Sequence, residues 1–289
     1  MDMNDQDESR NVEDVRGSGG GFRPIHGISL GTVAVALIGG WLLGINPLQV
    51  LGLLSGGGDQ GVQPGPARPV ASSPAEDAQV KFVAQVLRST ETVWSAAFAA
   101  DGRTYEEPKL RLYRDSYPTG CGQGDAAAGP FYCGEDRIVY LDLSFFDYMT
   151  ERLGAPGQFA HAYVIAHEVG HHVQNLLGTL GKVNAARARA GEAESNALSV
   201  RLELQADCYA GVWATLSQRQ HGWRLEPGDI ESALNAAAQI GDDTLQRRAR
   251  GTVVPETFTH GTSAERVGWF RKGVDAGSIR GCDTFSGGP

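Results

Sequence analysis

Charged residues are absent from one long stretch of this sequence, and long basic runs are absent from all of it. No Asp, Glu, Lys or Arg lies between Gly27 and Gly58. The chain of 289 residues carries 34 acidic and 25 basic residues, a formal net charge of −9. An acidic chain without a basic patch lacks the electrostatic footprint of a nucleic-acid-binding protein. We therefore expect no nucleic-acid partner.

Cysteine is also scarce, and its spacing excludes one common use of the residue. The four cysteines, Cys121, Cys133, Cys208 and Cys282, form no C-x-x-C pair, which excludes a zinc ribbon. An even number is compatible with two disulfides in an oxidising compartment, whereas four free thiols are the alternative in a reducing one. Four cysteines allow three pairings. Proximity favours Cys121–Cys133 across a loop rich in Gly and Pro, and elimination then leaves Cys208–Cys282.

The uncharged stretch contains a candidate membrane span. Residues 28–45 are an unbroken run of apolar and small side chains, and a helix needs about 20 such residues to cross the hydrocarbon core. We predict a transmembrane anchor over 27–47. A cleaved signal peptide is the alternative, but a long polar tail precedes the run and no A-x-A site follows it closely.

The basic residues near this span are distributed unequally. Arg10, Arg16 and Arg23 precede it, whereas the first basic residue after it is Arg68. The positive-inside rule therefore predicts a cytoplasmic tail over 1–26 and places the rest of the chain outside the cytoplasm. This is a single-pass arrangement that contacts the lipid bilayer through the N-terminal helix.

The remainder of the sequence predicts a linker followed by one folded domain. Residues 48–76 are rich in Gly and Pro, as linkers are, so the domain is predicted over 77–289. Apolar spacing predicts helices over 77–99, 144–153, 157–177, 192–217, 228–249 and 263–272, strands over 109–113 and 137–143, and a loop over 118–134. The predicted fold class is α+β, mostly helical with a small sheet.

The chemistry of the chain is concentrated in the segment YVIAHEVGHHVQ, residues 163–174. It contains H-E-x-x-H, with His167, Glu168 and His171. Residues four apart lie on one face of a helix, so both imidazoles can bind one zinc ion. Glu168 is then the predicted catalytic base, which takes a proton from a zinc-activated water. The neighbouring His172 points elsewhere on the helix and is predicted to be a structural or surface residue.

A catalytic zinc needs a third protein ligand, which must come from another part of the chain. The longer pattern H-E-x-x-H-x-x-G-x-x-H is not completed, which excludes a metzincin. Glu203 and Asp207 lie one turn apart on an apolar helix. We predict Glu203 as the third ligand and Asp207 as the acceptor for the outer N–H of a ligating His. Glu192 and Glu194 are the alternatives for the ligand, but no carboxylate follows them one turn on.

Two weaker hypotheses concern the substrate. His260, in the segment F-T-H-G-T-S, is a candidate catalytic donor to the developing oxyanion, and Tyr209 is the second choice. It is equally open that His260 only caps or packs the last helix. An extended peptide could add a strand to an exposed sheet edge, for which residues 137–142 are the candidate.

Five segments resemble the bacterial neutral zinc metallopeptidase family of the YpfJ type. They are G-P-F-Y-C (129–133), V-Y-L-D-L-S-F-F (139–146), V-I-A-H-E-V-G-H-H-V-Q-N (164–175), R-L-E-L-Q-A-D-C-Y-A-G-V-W-A (201–214) and T-F-T-H-G-T-S-A-E-R-V-G-W-F (257–270). The resemblance implies a zincin-like domain with peptidase activity. It places the family's H-E-x-x-H on His167, Glu168 and His171. Glu203 and Asp207 fall on a segment that looks like the E-x-x-A-D of membrane-associated gluzincins.

These observations together predict a gluzincin-type peptidase anchored in the bacterial cytoplasmic membrane, with one Zn²⁺ per chain and peptides or proteins as substrates. The alternative is a catalytically silent module that keeps the zinc, is tethered to the membrane and serves in binding or regulation. Glu168 argues against that alternative, because a silent module has no chemical need for the carboxylate.

Overall fold

The computed structural model describes residues 1–3, 6–17, 72–220 and 223–286. The predicted anchor over 27–47 and nearly all of the predicted linker over 48–76 lie outside these residues. Within the ranges described, no helix combines the length and the apolar character that a membrane crossing requires.

The described residues form an α+β fold that is mostly helical, as predicted. The helices are α1 (Pro74–Ala100), α2 (Ser144–Glu151), α3 (Gln158–Leu176), α4 (Thr179–Arg187), α5 (Glu192–Ser217), α6 (Asp229–Gln239), α7 (Asp242–Arg250) and α8 (Ser263–Ala276). The strands are β1 (Val12–Asp14), β2 (Lys109–Tyr113), β3 (Ser116–Thr119), β4 (Gly122–Asp125), β5 (Phe131–Cys133) and β6 (Ile138–Asp142).

The strands form one small mixed sheet and one hairpin. The sheet has the order β1-β2-β6-β5, in which β1, β2 and β6 are parallel and β5 runs antiparallel to β6. β3 and β4 pair separately as an antiparallel hairpin. Leu110 and Leu112 of β2 and Val139 and Leu141 of β6 are buried in the same apolar cluster as the helices. The sheet therefore forms one wall of the helical core and ends at β5.

Two glycines allow the three central helices to approach closely. A Cβ atom on Gly170 of α3 would lie 3.0 Å from the carbonyl oxygen of Ala206 on α5. A Cβ on Gly273 of α8 would lie 1.9 Å from the carbonyl oxygen of Cys208, also on α5. Because a real Cβ does not fit at 1.9 Å, only glycine permits the observed packing of α8 on α5. These contacts set the distances between the helices on which the predicted ligands lie.

Capping boxes fix the beginning of two long helices. The Ser73 side chain accepts a hydrogen bond from the backbone N–H of Glu76, and the Glu76 side chain accepts one from the Ser73 N–H at the start of α1. Thr262 and Glu265 make the same reciprocal pair at the start of α8. Each box satisfies two N–H groups that would otherwise lack a partner.

Three local predictions differ from the structure. The segment 118–134, predicted as a loop, contains part of β3 and all of β4 and β5. These strands have only three or four residues each, which is too short to show alternation, and two of the four residues of β4 are Gly. The helix predicted over 228–249 is two helices separated at Gly241, where a Cβ would lie 2.4 Å from the backbone nitrogen of Ser263. Helix α4 was not predicted, because Val183 is its only buried residue and no apolar face results.

Both predicted disulfides are present. Cys121 is bonded to Cys133, which ties the β3–β4 hairpin to β5, with the Cα atoms 5.7 Å apart. Cys208 is bonded to Cys282, with Cα atoms 5.5 Å apart, which holds the C-terminal residues against α5. Both pairings, including the one reached by elimination, are confirmed.

The N-terminal residues belong to the folded domain rather than to a separate tail. Val12–Asp14 form β1, an integral strand of the sheet. Shortly before it, the Ser9 hydroxyl donates a hydrogen bond to the buried carboxylate of Glu91 on α1, with 2.5 Å between the oxygens. Residues 1–17 of the predicted tail over 1–26 therefore pack with the predicted domain over 77–289, whereas residues 18–26 lie outside the described residues.

This pairing conflicts with the membrane topology that the arginines predict. Strands that are hydrogen-bonded to one another lie on the same side of a membrane, so residues 1–17 and the remainder of the domain share one side. The single-pass arrangement predicted from the arginines requires them to be on opposite sides. One of those arginines, Arg16, is buried and paired with Asp14, with 2.7 Å between Nη2 and Oδ2. Its charge is neutralised within the fold.

The topology is testable with single cysteines at two exposed positions, Glu8 and Asp275. We expect a membrane-impermeant maleimide to label Glu8→Cys and Asp275→Cys from the same side in intact cells stripped of any outer membrane, and from the other side in neither. A cytoplasmic marker protein controls for leakage. Labelling of the two positions from opposite sides would contradict the pairing of β1 with β2.

Candidate metal centre

The side chains of His167, His171 and Glu203 converge, as their spacing predicted. The two histidines extend from one face of α3, and Glu203 faces them from α5. Nε2 of His167 lies 3.1 Å from Oε2 of Glu203, and Nε2 of His171 lies 3.5 Å from Oε1. One candidate ligand atom from each residue lies within 4.8 Å of the other two. Over the described ranges, no other group of three His, Cys, Asp or Glu meets this criterion.

Hydrogen bonds on the far side of each ring fix its tautomer. Nδ1 of His167 lies 2.8 Å from Oδ1 of Asp207, and Nδ1 of His171 lies 2.9 Å from Oε1 of Gln174. The Gln174 amide is oriented by its own N–H group, which donates to the carbonyl oxygen of Leu202. Both oxygens can only accept, so both Nδ1 atoms are protonated. In the neutral form of each ring, Nε2 therefore carries the lone pair, and it faces the Glu203 carboxylate.

Two lone pairs and a carboxylate that face one another repel unless protons or a metal ion lie between them. Two imidazole nitrogens and one carboxylate oxygen are a ligand set typical of catalytic zinc, which leaves a fourth position open. The residues present therefore fit a zinc ion.

The electrostatics of the site likewise favour positive charge. Burial by itself lowers the pKa of His167, but Asp207 and Glu203 outweigh it and raise this pKa from 6.5 to about 10. Burial raises the pKa of Glu203, but His171 and His167 outweigh it and hold this pKa well below 4.5. A metal ion that binds here competes with protons for the same positions.

Asp207 has the position predicted for it, and it has an additional partner that the sequence did not reveal. The carboxylate is fully buried. Arg266 on α8 donates to both of its oxygens, from Nε over 2.8 Å and from Nη2 over 3.0 Å. The Tyr163 hydroxyl also donates to Oδ1, over 2.5 Å. Asp207 therefore has hydrogen bonds from three side chains on two helices.

Arg266 keeps Asp207 ionised. Burial by itself raises the pKa of Asp207, but Arg266 and then His167 outweigh it and lower this pKa to about 2. An ionised Asp207 accepts the Nδ1–H of His167 and so maintains the tautomer that a metal requires. One signal in the sequence could have revealed Arg266, because it lies one turn before the buried Phe270 on the inner face of α8.

The predicted base, Glu168, is open to a cleft beside the three ligands. Its carboxylate makes no hydrogen bond to any other described residue, although the residue is only 7% exposed. Burial raises its pKa, and the two adjacent histidines, His167 and His171, oppose this rise. A carboxylate with a raised pKa and no internal partner is suited to accept a proton from a ligand in the cleft.

His260 also lines the cleft, whereas Tyr209, the second choice for the oxyanion donor, does not. Its Nδ1 lies 3.2 Å from Oδ1 of Asp242, the first residue of α7. The other oxygen of Asp242 accepts backbone N–H bonds from Thr259, His260 and Gly261, so the loop is held firmly. Tyr209 is buried in the core against Trp94, with 5.7 Å between the ring centroids.

The fallback ligands lie away from the centre. Glu192 and Glu194 are exposed in the first turn of α5, where acidic side chains favour the positive end of the helix dipole. Neither belongs to the converging group.

The cleft has a volume of about 810 Å³ and mostly apolar walls. The larger side chains in these walls include Phe131, Phe145, Tyr148, Leu180, Leu202 and Ile240. β5 forms one border, because Phe131 and Tyr132 both line the cleft. β5 is the end strand of the sheet, while the predicted edge over 137–142 is β6 and lies between β2 and β5.

His172 fixes this border strand to the ligand helix. It is fully buried, its Nε2 donates to the carbonyl oxygen of Glu106 over 2.7 Å, and its Nδ1 accepts from the Tyr132 hydroxyl over 3.0 Å. The prediction that His172 is structural rather than a ligand is confirmed.

The sequence of the chain is similar to those of a family described as zinc metallopeptidases. The family model described as "Putative neutral zinc metallopeptidase" matches residues 1–285. The chain belongs to this family. It is 49% identical over 293 residues to the Escherichia coli (strain K12) protein named "Uncharacterized protein YpfJ", with 96% of each chain covered. It is 45% identical over 207 residues to the Mycobacterium tuberculosis (strain H37Rv) protein named "Uncharacterized protein Rv2575", with 68% of each covered. No solved structure matches the chain.

The neutral zinc metallopeptidase family match begins at the first residue of the chain and so includes β1. It also includes the three converging side chains and Arg266. The family match therefore covers both the N-terminal strand and the helices that carry the site.

Metal analysis of variants tests the ligand assignment. We expect about one zinc per wild-type chain, no measurable zinc in His167→Ala, and at least about 100-fold weaker binding in Glu203→Ala, because each removes a ligand. Asp207→Asn should weaken binding about 10- to 100-fold through the tautomer of His167. The measurement is zinc content after dialysis against a graded series of chelators.

The matched control is Glu192→Ala, which removes an exposed carboxylate from the same helix and should leave zinc affinity unchanged. If Glu203→Ala retained the wild-type affinity, the third ligand would be assigned wrongly.

Proposed function

We propose that this chain is a zinc-dependent peptidase of the gluzincin type, in which Glu168 acts as general base. The observation that supports this most strongly is the convergence of His167, His171 and Glu203 beside a carboxylate that has no internal partner. When bound, a zinc ion on these three ligands lowers the pKa of water and polarises a carbonyl group.

Each of three residues then has its own role in hydrolysis. Glu168 takes a proton from the attacking water and delivers it to the amine that leaves. His260, which lines the same cleft, donates a hydrogen bond to the oxyanion that forms on the attacked carbonyl. Asp242 accepts a hydrogen bond from Nδ1 of His260, which leaves Nε2 as the ring atom available to the substrate. The same hydrogen bond raises the pKa of His260, which favours the protonated ring, in which Nε2 is a donor.

The border of the cleft suits an extended peptide. Among the residues that the structure describes, β5 pairs with β6 alone, so its other side offers backbone donors and acceptors to a substrate strand. The bond from Tyr132 to His172 keeps β5 at a fixed distance from α3, which carries Glu168. Apolar side chains of the peptide would face Phe131, Phe145 and Tyr148.

We also propose that the domain works in an oxidising compartment outside the bacterial cytoplasm, since its cysteines form two disulfides. Residues 1–17 lie on the same side, because β1 is part of the sheet. The uncharged segment over 27–47 remains our candidate for contact with the lipid bilayer, but we do not propose it as a single crossing that separates residues 1–17 from the domain.

The substitution Glu168→Gln tests catalysis separately from metal binding. The amide has the shape of the carboxylate but cannot take a proton from water, so we expect the fold and the zinc content to persist and turnover to fall by at least about 100-fold. The measurement is cleavage of an unstructured protein by the zinc-loaded chain, with Glu194→Gln as the matched surface control.

Comparable turnover in Glu168→Gln would remove the general-base role. If the zinc-loaded wild-type chain did not cleave any unstructured protein, the peptidase proposal would be wrong and a binding module would be the better description.

A further inference from the structure

Two of the charged side chains that line the cleft, Glu168 and Arg187, have no ion-pair partner among the described residues. Glu203 faces the two ligand histidines, and Arg266 is paired with Asp207. Arg187, in the last turn of α4, also lines the cleft and is half-buried. Across the described ranges no carboxylate lies within ion-pair distance of its guanidinium. Its single hydrogen bond runs from Nε to the hydroxyl of Ser195 on α5, over 3.3 Å.

This lack of a partner is notable in an acidic protein. The chain has 34 acidic residues, yet Glu168 and Glu203 are the carboxylates that line this cleft within the described part of the chain. In the proposed function Glu203 binds the metal and Glu168 is the catalytic base. Arg187 therefore presents most of its donors to whatever occupies the cleft.

A second donor without a partner lies one helical turn from Ser195, the residue that accepts from Arg187. Ser195 and Ser199 are one turn apart on α5 and so lie on the same face of the helix. Ser199 is buried and lines the cleft, and its hydroxyl has no hydrogen-bond partner among the residues that the structure describes. Leu180 on α4 and Leu202 on α5 also line the cleft and contribute apolar atoms to its walls.

We infer that Arg187 and Ser199 form a subsite that binds a carboxylate of the peptide substrate, either an acidic side chain or a free C-terminus. The guanidinium offers two parallel N–H groups that match the two oxygens of a carboxylate, and the apolar surroundings strengthen the attraction. The hydroxyl of Ser199 supplies a third donor. This inference rests on the proposed peptidase function and names the class of substrate that it prefers.

A charge-swap experiment on the full-length, zinc-loaded chain tests the subsite. The probes are internally quenched peptides of one sequence, in which Glu, Gln or Lys is placed in turn at each position around the cleaved bond, each made with a free and with an amidated C-terminus. We expect Glu at one position, or a free C-terminus, to raise kcat/KM at least about 10-fold over the peptide with Gln or the amidated end, through a lower KM.

Variants assign that preference to the subsite. Arg187→Gln should abolish it, Arg187→Glu should reverse it in favour of Lys or the amidated end, and Ser199→Ala should reduce it. Arg189→Glu makes the same charge change at an exposed position two residues on and should retain the wild-type preference. Thermal unfolding of each variant separates the preference from any role of Arg187 as a basic residue at the end of α4.

Affinities of the same peptides for the Glu168→Gln chain, measured by fluorescence anisotropy, test the subsite without turnover. A wild-type chain that cleaves all probes equally, or an Arg187→Glu chain that keeps the preference for carboxylates, would overturn the subsite and leave the peptidase proposal intact. A chain that cleaves no probe but binds carboxylate peptides through Arg187 would overturn the peptidase proposal and support the subsite. Absence of both would overturn both.

Discussion

The organisation of the site depends on one buried carboxylate. Asp207 has no exposed surface, and a carboxylate removed from water is tolerated only when charge and hydrogen bonds compensate it. The compensation comes from His167 and Tyr163 on α3 and from Arg266 on α8. The three helices must therefore lie at fixed distances for Asp207 to remain ionised. The same bonds fix the tautomer of His167, so stability and metal binding depend on the same interaction.

Close helix packing makes this arrangement possible. Gly170 brings α3 against α5, and Gly273 brings α8 against α5. On the opposite side of α3, His172 connects the ligand helix to β5, the strand that borders the cleft. The helix that carries H-E-x-x-H is thus hydrogen-bonded to Asp207 on one side, through His167, and to β5 on the other, through His172.

The sequence predicted the local parts of this site well and the distant parts poorly. His167, His171, Glu203 and Asp207 follow helical spacing, which a sequence records directly. Arg266 was missed, because an arginine is ordinarily exposed and its burial here depends on an acid that lies 59 residues away. β1 was missed for a related reason, since three residues carry no detectable alternation and their partner strand begins almost a hundred residues later. The predicted sheet edge over 137–142 was wrong because β5, which pairs with that strand, is equally short and was not predicted.

The most direct test of the zinc centre is an anomalous difference map of crystals of the protein, measured on both sides of the zinc absorption edge. The account predicts one strong peak that appears only above the edge, about 2.0–2.2 Å from Nε2 of His167, Nε2 of His171 and a carboxylate oxygen of Glu203. A zinc-loaded crystal with no peak at these atoms, or with its peak on other side chains, would contradict the account.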